Sequence, residues 1–162
     1  METTDPLTTD VVVRNLRPSD LEAVIRLDAK NVGRRRDEFF KLKLKQALSD
    51  TGLTVSLAAE RQGVFVGFLL ARVFYGEFGV TERVAVLDVI DVHPDFRGHH
   101  VAASLLTQLR TNLLGLGIST LRTEAGWDSH DLLAFFHHEG FVIAQRLCLD
   151  LDLQAARARA DR

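Results

Sequence analysis

The chain carries two hydrophobic patterns, one with the period of a strand and one with the period of a helix. Short apolar or β-branched runs predict strands at residues 11–16, 53–60, 64–75, 83–92, 119–124 and 141–151. Apolar residues that recur every three or four positions predict helices at residues 18–32, 34–48, 98–114 and 128–138. The order β-α-α-β-β-β-α-β-α-β predicts an α+β domain built as a three-layer α/β/α arrangement.

Two connections indicate how the predicted strands pair. The short loop Arg61-Gln62-Gly63 joins consecutive strands and predicts an antiparallel hairpin. The helix at 98–114 joins the strand at 83–92 to the strand at 119–124, which predicts a parallel pair formed by a right-handed crossover. The sheet is therefore expected to be mixed.

Length and composition limit the class of protein. A chain of 162 residues predicts a single domain over 1–162, with a core at about 11–151 and a charged tail at 152–162. Hydrophobic residues at 46% and charged residues at 26% are typical of a globular domain and exclude collagen-like, coiled-coil and disordered chains. A formal charge of -2 provides no overall positive field, so no nucleic-acid partner is expected.

The location of the protein is suggested by its cysteine content and its apolar runs. The lone Cys148 excludes an intrachain disulfide and, within the predicted strand at 141–151, is expected to be a buried small hydrophobe. The longest apolar run, residues 64–73, is far shorter than the roughly 20 residues of a membrane helix. The polar, acidic start of the chain does not resemble a secretory signal. We therefore expect a cytoplasmic protein with no membrane partner.

The most informative segment is a basic turn between a strand and a helix. The strand at 83–92 stops at Pro94, and Arg97-Gly98-His99-His100 leads into the next helix. The first backbone N–H groups of a helix have no partner within the helix and lie at the positive end of its dipole. The pattern indicates a site for a phosphate or pyrophosphate, although an ordinary basic turn that caps a helix would look the same. The glycine spacing matches neither a Walker loop nor a dinucleotide fingerprint.

Two motifs resemble the GNAT superfamily of N-acetyltransferases. The stretch LDVIDVHPDFRGHHVAASLL, residues 87–106, is similar to the acetyl-CoA-binding core of that family. Arg97 stands at the leading Arg/Gln of the family's turn, and Ala102 stands at its closing Gly/Ala. The stretch SHDLLAFFHHEGF, residues 129–141, resembles a later helix of the family, with Ser129 at the usual Asn position.

The resemblance implies a fold, a reaction and a set of coenzyme contacts. The fold would be a mixed, mostly antiparallel sheet with a parallel, splayed strand pair, flanked by helices. Acetyl-CoA would be the co-substrate, and the acetyl group would pass directly to an amine acceptor without an acyl-enzyme; no metal is required. The backbone near Val92 would polarise the thioester carbonyl. The residues implied to bind the coenzyme are Ile90, Asp91, Val92, Arg97, Gly98, His99, His100, Val101, Ala102, Ser129 and Phe136.

Two positions depart from the family pattern. His100 stands where the family usually has a glycine, although His tolerates a positive φ better than most residues. Phe136 stands where many members have a tyrosine that protonates the leaving thiolate, so a slower enzyme or another acid is expected. These departures motivate the alternative interpretation, a catalytically weak acyl-CoA-binding sensor or complex subunit. Exposed edge strands and the habit of the family favour a homodimer.

The candidates for a general base are carboxylates near the predicted splay. Glu124 closes the strand at 119–124, and Asp88 lies within an otherwise apolar strand; these two are the predicted catalytic residues. A solvated strand end and a satisfied structural carboxylate are their respective alternatives. Asp91 is a third candidate for the same role. The adjacent histidine pairs lack the spacing of a metal site, so no metal is expected.

A basic cluster borders the predicted second helix. It comprises Arg34, Arg35, Arg36, Lys41, Lys43 and Lys45. The resemblance places this region beside the acceptor, which would favour an acidic acceptor, whereas a solvated helix face is the simpler interpretation.

Overall fold

The computed structural model of the protein describes residues 10–49, 55–75, 79 and 81–160. The chain divides after Glu124 into two compact units. The first contains the strands β1 (Val11–Asn15), β2 (Leu57–Arg61), β3 (Val64–Phe74), β4 (Val84–Val92) and β5 (Leu121–Thr123) and the helices α1 (Leu21–Val32), α2 (Asp37–Ser49) and α3 (Val101–Gly115). The second contains the helices α4 (His130–His138) and α5 (Leu153–Ala160).

The strands of the first unit form one mixed sheet in the order β1-β2-β3-β4-β5. Strands β1 to β4 are antiparallel neighbours, whereas β4 and β5 are parallel. Helix α3 is the crossover between that parallel pair. The predicted α+β class and the mixed sheet with helices around it are confirmed.

The hairpin between β2 and β3 is tighter than predicted. Strand β2 continues to Arg61, so only Gln62 and Gly63 form the turn. Both have a positive φ, 50° and 77°. This is the turn geometry that matches the twist of two antiparallel strands.

The core lies on both faces of the sheet. On the face covered by α1 and α2, Phe68 and Leu70 of β3 pack in one cluster with Ile25 of α1 and Phe40 of α2. On the other face, Gly67 brings β3 close to α3, because a Cβ there would lie 2.8 Å from Cγ1 of Val101. Helix α3 buries an apolar stripe, formed by Val101, Leu105, Leu106, Leu109 and Leu113. The sheet therefore holds α3 rigidly beside the end of β4.

The second unit corrects the prediction of a last strand. Residues 141–151 form no strand, because no other described segment forms a backbone ladder with them. Their alternating apolar pattern was compatible with a strand, but a strand also needs a paired neighbour. The prediction that Cys148 is buried is wrong for the same reason, since the thiol-bearing residue is exposed. Large apolar residues of this segment are also exposed, namely Val142, Ile143, Leu147, Leu149 and Leu151.

Candidate active site

The turn before α3 adopts a backbone shape that few residues tolerate. Pro94 opens one turn of 3-10 helix, and Nδ1 of His93 accepts a hydrogen bond from the N–H of Asp95 at 3.2 Å. Gly98 and His100 then both have a left-handed conformation, with φ of 76° and 60°. A turn that contains left-handed residues directs successive N–H groups into one concave surface, which favours an anion.

The N–H groups at the start of α3 are available to a ligand. Among the described residues, no hydrogen bond acceptor meets the backbone N–H of His100, Val101 or Ala102. Arg97, which belongs to the same turn, is exposed, and so are His99 and His100. The geometry is therefore that of an anion site at a helix N-terminus, as the sequence predicts.

The left-handed conformation of His100 gives a testable consequence for stability. The left-handed conformation costs a residue with a Cβ about 1–2 kcal/mol. A glycine avoids this cost but favours the unfolded state by about 0.4–1 kcal/mol through the greater entropy of the unfolded chain. We expect His100→Gly to raise the free energy of unfolding by about 0.5–1 kcal/mol, measured by urea denaturation.

The matched control for that measurement is His99→Gly. His99 is the adjacent exposed residue and does not have a positive φ. A glycine at position 99 adds the same entropy to the unfolded chain but relieves no backbone strain in the folded protein, so this variant is expected to lose stability. Equal losses in the two variants would contradict the assignment of strain to His100.

Strand β4 has an open edge where it approaches the turn. Strand β5 pairs with β4 only from Ala85 to Leu87, with Thr123 Oγ1 donating to the carbonyl of Leu87 at 3.0 Å. Beyond Leu87, β4 continues to Val92, and within the described part of the chain only β3 pairs with it there. Ile90, Asp91 and Val92, which the resemblance implicates in coenzyme binding, all lie in this open stretch.

Asp88 is held in an ion pair on the face covered by α1 and α2. It is the extra residue of a bulge, because Leu70 faces Val89 whereas Ala71 faces Leu87. Its two oxygens accept hydrogen bonds from Nε and Nη2 of Arg72, at 2.5 and 3.0 Å. Both oxygens of this carboxylate are therefore bound by the two arms of one guanidinium, which is the geometry of a strong ion pair. Its predicted role as a catalytic base stays a prediction.

A network that the sequence did not indicate joins α1 to the open edge of β4. Nδ2 of Asn31 donates to Oδ1 of Asp91 at 2.5 Å and to the carbonyl of Val92 at 2.9 Å. Oδ1 of Asn31 accepts from Nη2 of Arg97 at 2.6 Å. The N–H of Val92 donates to Oδ1 of Asp91 at 3.0 Å. Asn31 therefore connects the predicted anion site to the predicted acyl site through one side-chain amide.

The pKa of Asp91 is shifted by its surroundings. Burial raises the pKa to about 6, although the hydrogen bond from the Val92 N–H opposes this shift. The nearby Asp28 raises the pKa further and Arg97 lowers it. Asp28 is only 2% exposed and is bound by Arg36, with the shorter hydrogen bond at 2.5 Å. The end of β4 thus holds a carboxylate that exchanges its proton near neutral pH.

The remaining predicted site residues lie at the end of β5 or in the second unit. Glu124 is exposed, one residue beyond β5, and accepts no hydrogen bond from the described residues. Ser129 is the N-cap residue of α4, without a side-chain capping bond. Phe136 is 5% exposed and packs against Phe135 and Phe141. Their predicted roles toward the coenzyme stay predictions.

Three of the six members of the basic cluster are paired with acidic side chains. Arg35 binds Glu22 and Asp37, and this guanidinium lowers the pKa of both carboxyls. Arg36 binds Asp28 as described, and Lys41 binds Glu38 at 2.7 Å. This pairing reduces the local positive charge and with it the argument for an acidic acceptor.

Neither a metal centre nor a membrane-spanning helix occurs among the described residues. No group of three or more His, Cys, Asp or Glu side chains within the described ranges is arranged to hold a metal ion. None of the helices in the described ranges has the length and hydropathy that a membrane span requires.

Solved structures with the same fold include several acetyltransferases. The aminoglycoside N-acetyltransferase AAC(6')-Iy, in complex with CoA, is 19% identical with a TM-score of 0.72, over 88% of this chain and 95% of that one. A ribosomal-protein-alanine N-acetyltransferase from Brucella melitensis is 21% identical with a TM-score of 0.70, over 88% and 99%. Arabidopsis thaliana Naa50, in complex with the bisubstrate analogue CoA-Ac-MVNAL, is 16% identical with a TM-score of 0.68, over 84% and 85%.

The family is shown by the sequence itself. No curated protein matches the chain. The profile of the acetyltransferase (GNAT) family matches residues 21–141, which span the strands β2 to β5, the turn before α3 and the helix α4. Identities as low as those above indicate the fold alone, but the family match covers most of the chain. The chain therefore belongs to the GNAT family and is an acetyltransferase.

Proposed function

We propose that the protein transfers an acetyl group from acetyl-CoA directly to a primary amine. The observation that carries the proposal is the adjacency of two features. The start of α3 presents unpaired N–H groups beside Arg97, and the end of β4 presents an edge that β5 leaves open. An anion site and an open strand edge are together what a coenzyme with a diphosphate and an amide-bearing arm requires.

Each part of the coenzyme has a counterpart in the first unit. The diphosphate would accept hydrogen bonds from the N–H groups of His100, Val101 and Ala102, with the Arg97 guanidinium as the nearby cation. The pantetheine arm would lie along β4 beyond Leu87 and pair with the strand as a neighbouring strand does. In this arrangement the thioester would lie near Val92.

The reaction needs one bond formed and one bond broken at the thioester carbon. The amine nitrogen attacks that carbon, the C–S bond breaks, and CoA leaves as the thiolate, while the nitrogen loses a proton. A thiolate with a pKa near the cysteine value of about 8.5 is a fair leaving group, so Phe136 in place of a tyrosine slows the reaction without preventing it. Holding the amine and the thioester together in one cleft lowers the barrier further, because the two reactants no longer have to meet in solution.

The acceptor is proposed only as a class. The similar proteins are named for aminoglycosides and for an alanine of a ribosomal protein, which share a primary amine. Amines of the α-amino type have a pKa of about 7.7–8.0 and are partly neutral at physiological pH, so they need less help from a base than a lysine-like amine.

A second candidate function is a binding module that retains acyl-CoA but turns it over weakly. Its support is the strained His100 in the turn and the absence of a tyrosine hydroxyl at position 136. The two candidates differ in turnover and agree on binding.

The experiment combines binding with turnover. Calorimetry with acetyl-CoA and with CoA is expected to show binding with a dissociation constant in the micromolar range, as for typical enzyme substrates. Thiol release from acetyl-CoA is then measured with kanamycin, spermidine and a peptide with an N-terminal alanine. Amine-dependent release supports the enzyme, binding without release favours the binding module, and no binding at millimolar coenzyme overturns both.

A further inference from the structure

We propose that Asp91 accepts the proton of the attacking amine and that Asn31 is the positioning residue that holds its carboxylate in place. This inference rests on the proposed function and names the groups that handle the proton in that reaction.

The position of Asp91 is the first argument. It lies in the open stretch of β4, next to Val92, where the thioester is proposed to lie. It faces Phe68 across the β3–β4 ladder and therefore shares the sheet face that α1 and α2 cover. An amine that enters on this face and attacks at the end of β4 passes the carboxylate.

The hydrogen bonds of Asp91 are the second argument. Both bonds from the described residues end on Oδ1, one from Asn31 Nδ2 and one from the Val92 N–H. No described residue donates to Oδ2. One oxygen is therefore used to fix the carboxylate, and the other is available to receive a proton.

The two predicted bases are less suited to this step. Both oxygens of Asp88 are bound by Arg72. Glu124 is exposed at the end of β5 and has no described donor to hold it in one orientation. A base must lie in a fixed position within hydrogen-bond reach of the proton that it takes, and Asp91 meets the condition of a fixed position best.

The charges around Asp91 come from every element that packs against it. Helix α1 contributes Asp28, the segment between α1 and α2 contributes Arg36, and the turn before α3 contributes Arg97. Strand β3 presents the uncharged Phe68 at the paired position. Burial outweighs these charges and raises the pKa to about 6, which keeps the carboxylate ionised at pH 7 yet basic enough to take a proton.

The step balances without another reactant. Attack of the neutral amine forms the C–N bond and leaves a positively charged nitrogen, whose proton passes to Oδ2 of Asp91. The C–S bond then breaks, and the thiolate takes the proton from Asp91, directly or through a water molecule, which returns the carboxylate to its charged form. The products are the N-acetylated amine and CoA with a free thiol.

The first test is the pH dependence of kcat/KM for a peptide with an N-terminal alanine. Below about pH 6, log kcat/KM of the wild type is expected to fall with a slope of two, one unit from the peptide amine and one from Asp91. Asp91→Asn retains an oxygen that accepts both hydrogen bonds but cannot take the proton. We expect a loss of about 10²–10⁴-fold at pH 7.5 and a slope of one.

Controls separate this loss from misfolding and from loss of coenzyme. The pKa of Asp91 is raised in the folded protein, so its ionisation lowers stability as the pH rises through about 6. Asp91→Asn should therefore be at least as stable as the wild type at pH 7.5. Because the pantetheine arm is proposed to pair with the backbone of β4, calorimetry should give an unchanged CoA affinity. If Glu124→Gln or Asp88→Asn removes one unit of slope and Asp91→Asn does not, the proposal is overturned.

The second test concerns Asn31. Removal of its amide donor in Asn31→Ala favours the protonated form of Asp91, so the break in the pH profile should move above pH 6. A merely structural residue would lower activity at all pH values and leave the break in place, and that result contradicts the positioning role.

A measurement that does not need turnover completes the design. Carboxyl ¹³C NMR of the wild type should show one aspartate that titrates near pH 6, and its signal should be missing in Asp91→Asn. If the protein binds and turns over acetyl-CoA but Asp91 titrates in the ordinary range of an aspartate, the inference is overturned and the proposed function stands. If the protein does not bind acetyl-CoA, both the proposed function and the inference are overturned.

Discussion

Replacing Arg97 by Glu is expected to weaken CoA binding by about 100-fold or more. Hydrogen bonds to charged groups contribute about 1.5–3 kcal/mol each, and about 1.4 kcal/mol corresponds to tenfold in affinity. The variant removes the cation beside the unpaired N–H groups of α3 and places a carboxylate there, which repels the diphosphate. Calorimetry with CoA at low and at physiological salt measures the effect, and the loss should be larger at low salt.

The control for charge is Arg34→Glu. Arg34 is also exposed, and it lies before α2, away in sequence from the turn. Since the two variants change the net charge equally, a loss confined to Arg97→Glu points to the turn itself. Arg97 is exposed but donates one hydrogen bond to Asn31, so its replacement is expected to lower stability by about 0.5–1.5 kcal/mol. A CoA affinity within threefold of the wild type would exclude the turn as the diphosphate site.

Regular elements with a strong hydrophobic period could be predicted from the sequence. The strand predicted at 83–92 is β4, Val84–Val92, and the helix predicted at 98–114 is α3, Val101–Gly115. Both have a long apolar pattern and clear ends, Pro94 for the strand and the Gly115-Leu116-Gly117 stretch for the helix. The turn between them could be predicted because unpaired N–H groups follow from the start of any helix.

Pairing could be predicted less well, because it depends on two segments at once. Strand β5 was predicted at 119–124 and is Leu121–Thr123, since its partner has a bulge at Asp88 immediately after the paired stretch. The alternation at 141–151 was read as a strand, and no described segment pairs with it. The hydrophobic period of one segment does not indicate which other segment will pair with it.

The network around Asp91 could not be predicted from the sequence for a similar reason. Asn31 and Asp91 are separated by 60 positions, and Asn31 stands near the end of a helix, where a polar side chain is ordinary. The raised pKa of Asp91 follows from burial by α1 and from Asp28, which no local pattern indicates. The sequence shows only that Asp91 is a carboxylate in an apolar strand, and the same is true of Asp88, so the sequence does not distinguish the two residues.

The second large effect is expected on stability, from Phe68→Ala. Phe68 is fully buried, and its ring lies between those of Phe40, at 5.9 Å, and Phe65, at 6.3 Å. Truncation of a buried Phe costs about 3–5 kcal/mol, because contacts are lost and a cavity remains. Domains are typically stable by about 5–15 kcal/mol, so the variant should lose a large part of its stability, measured by urea denaturation.

The matched control is Phe39→Ala on α2. That residue is 37% exposed, and its ring contacts Phe40 at 4.9 Å, so part of its surface already meets solvent and the loss should be well below that of Phe68→Ala. Equal losses of stability in the two variants would contradict the assignment of Phe68 to the centre of this core. Because Phe68 faces Asp91 across the ladder, the variant also removes apolar surface beside the carboxylate. Less burial disfavours the charged form less, so the pKa of Asp91 should fall from about 6 toward its ordinary range in Phe68→Ala.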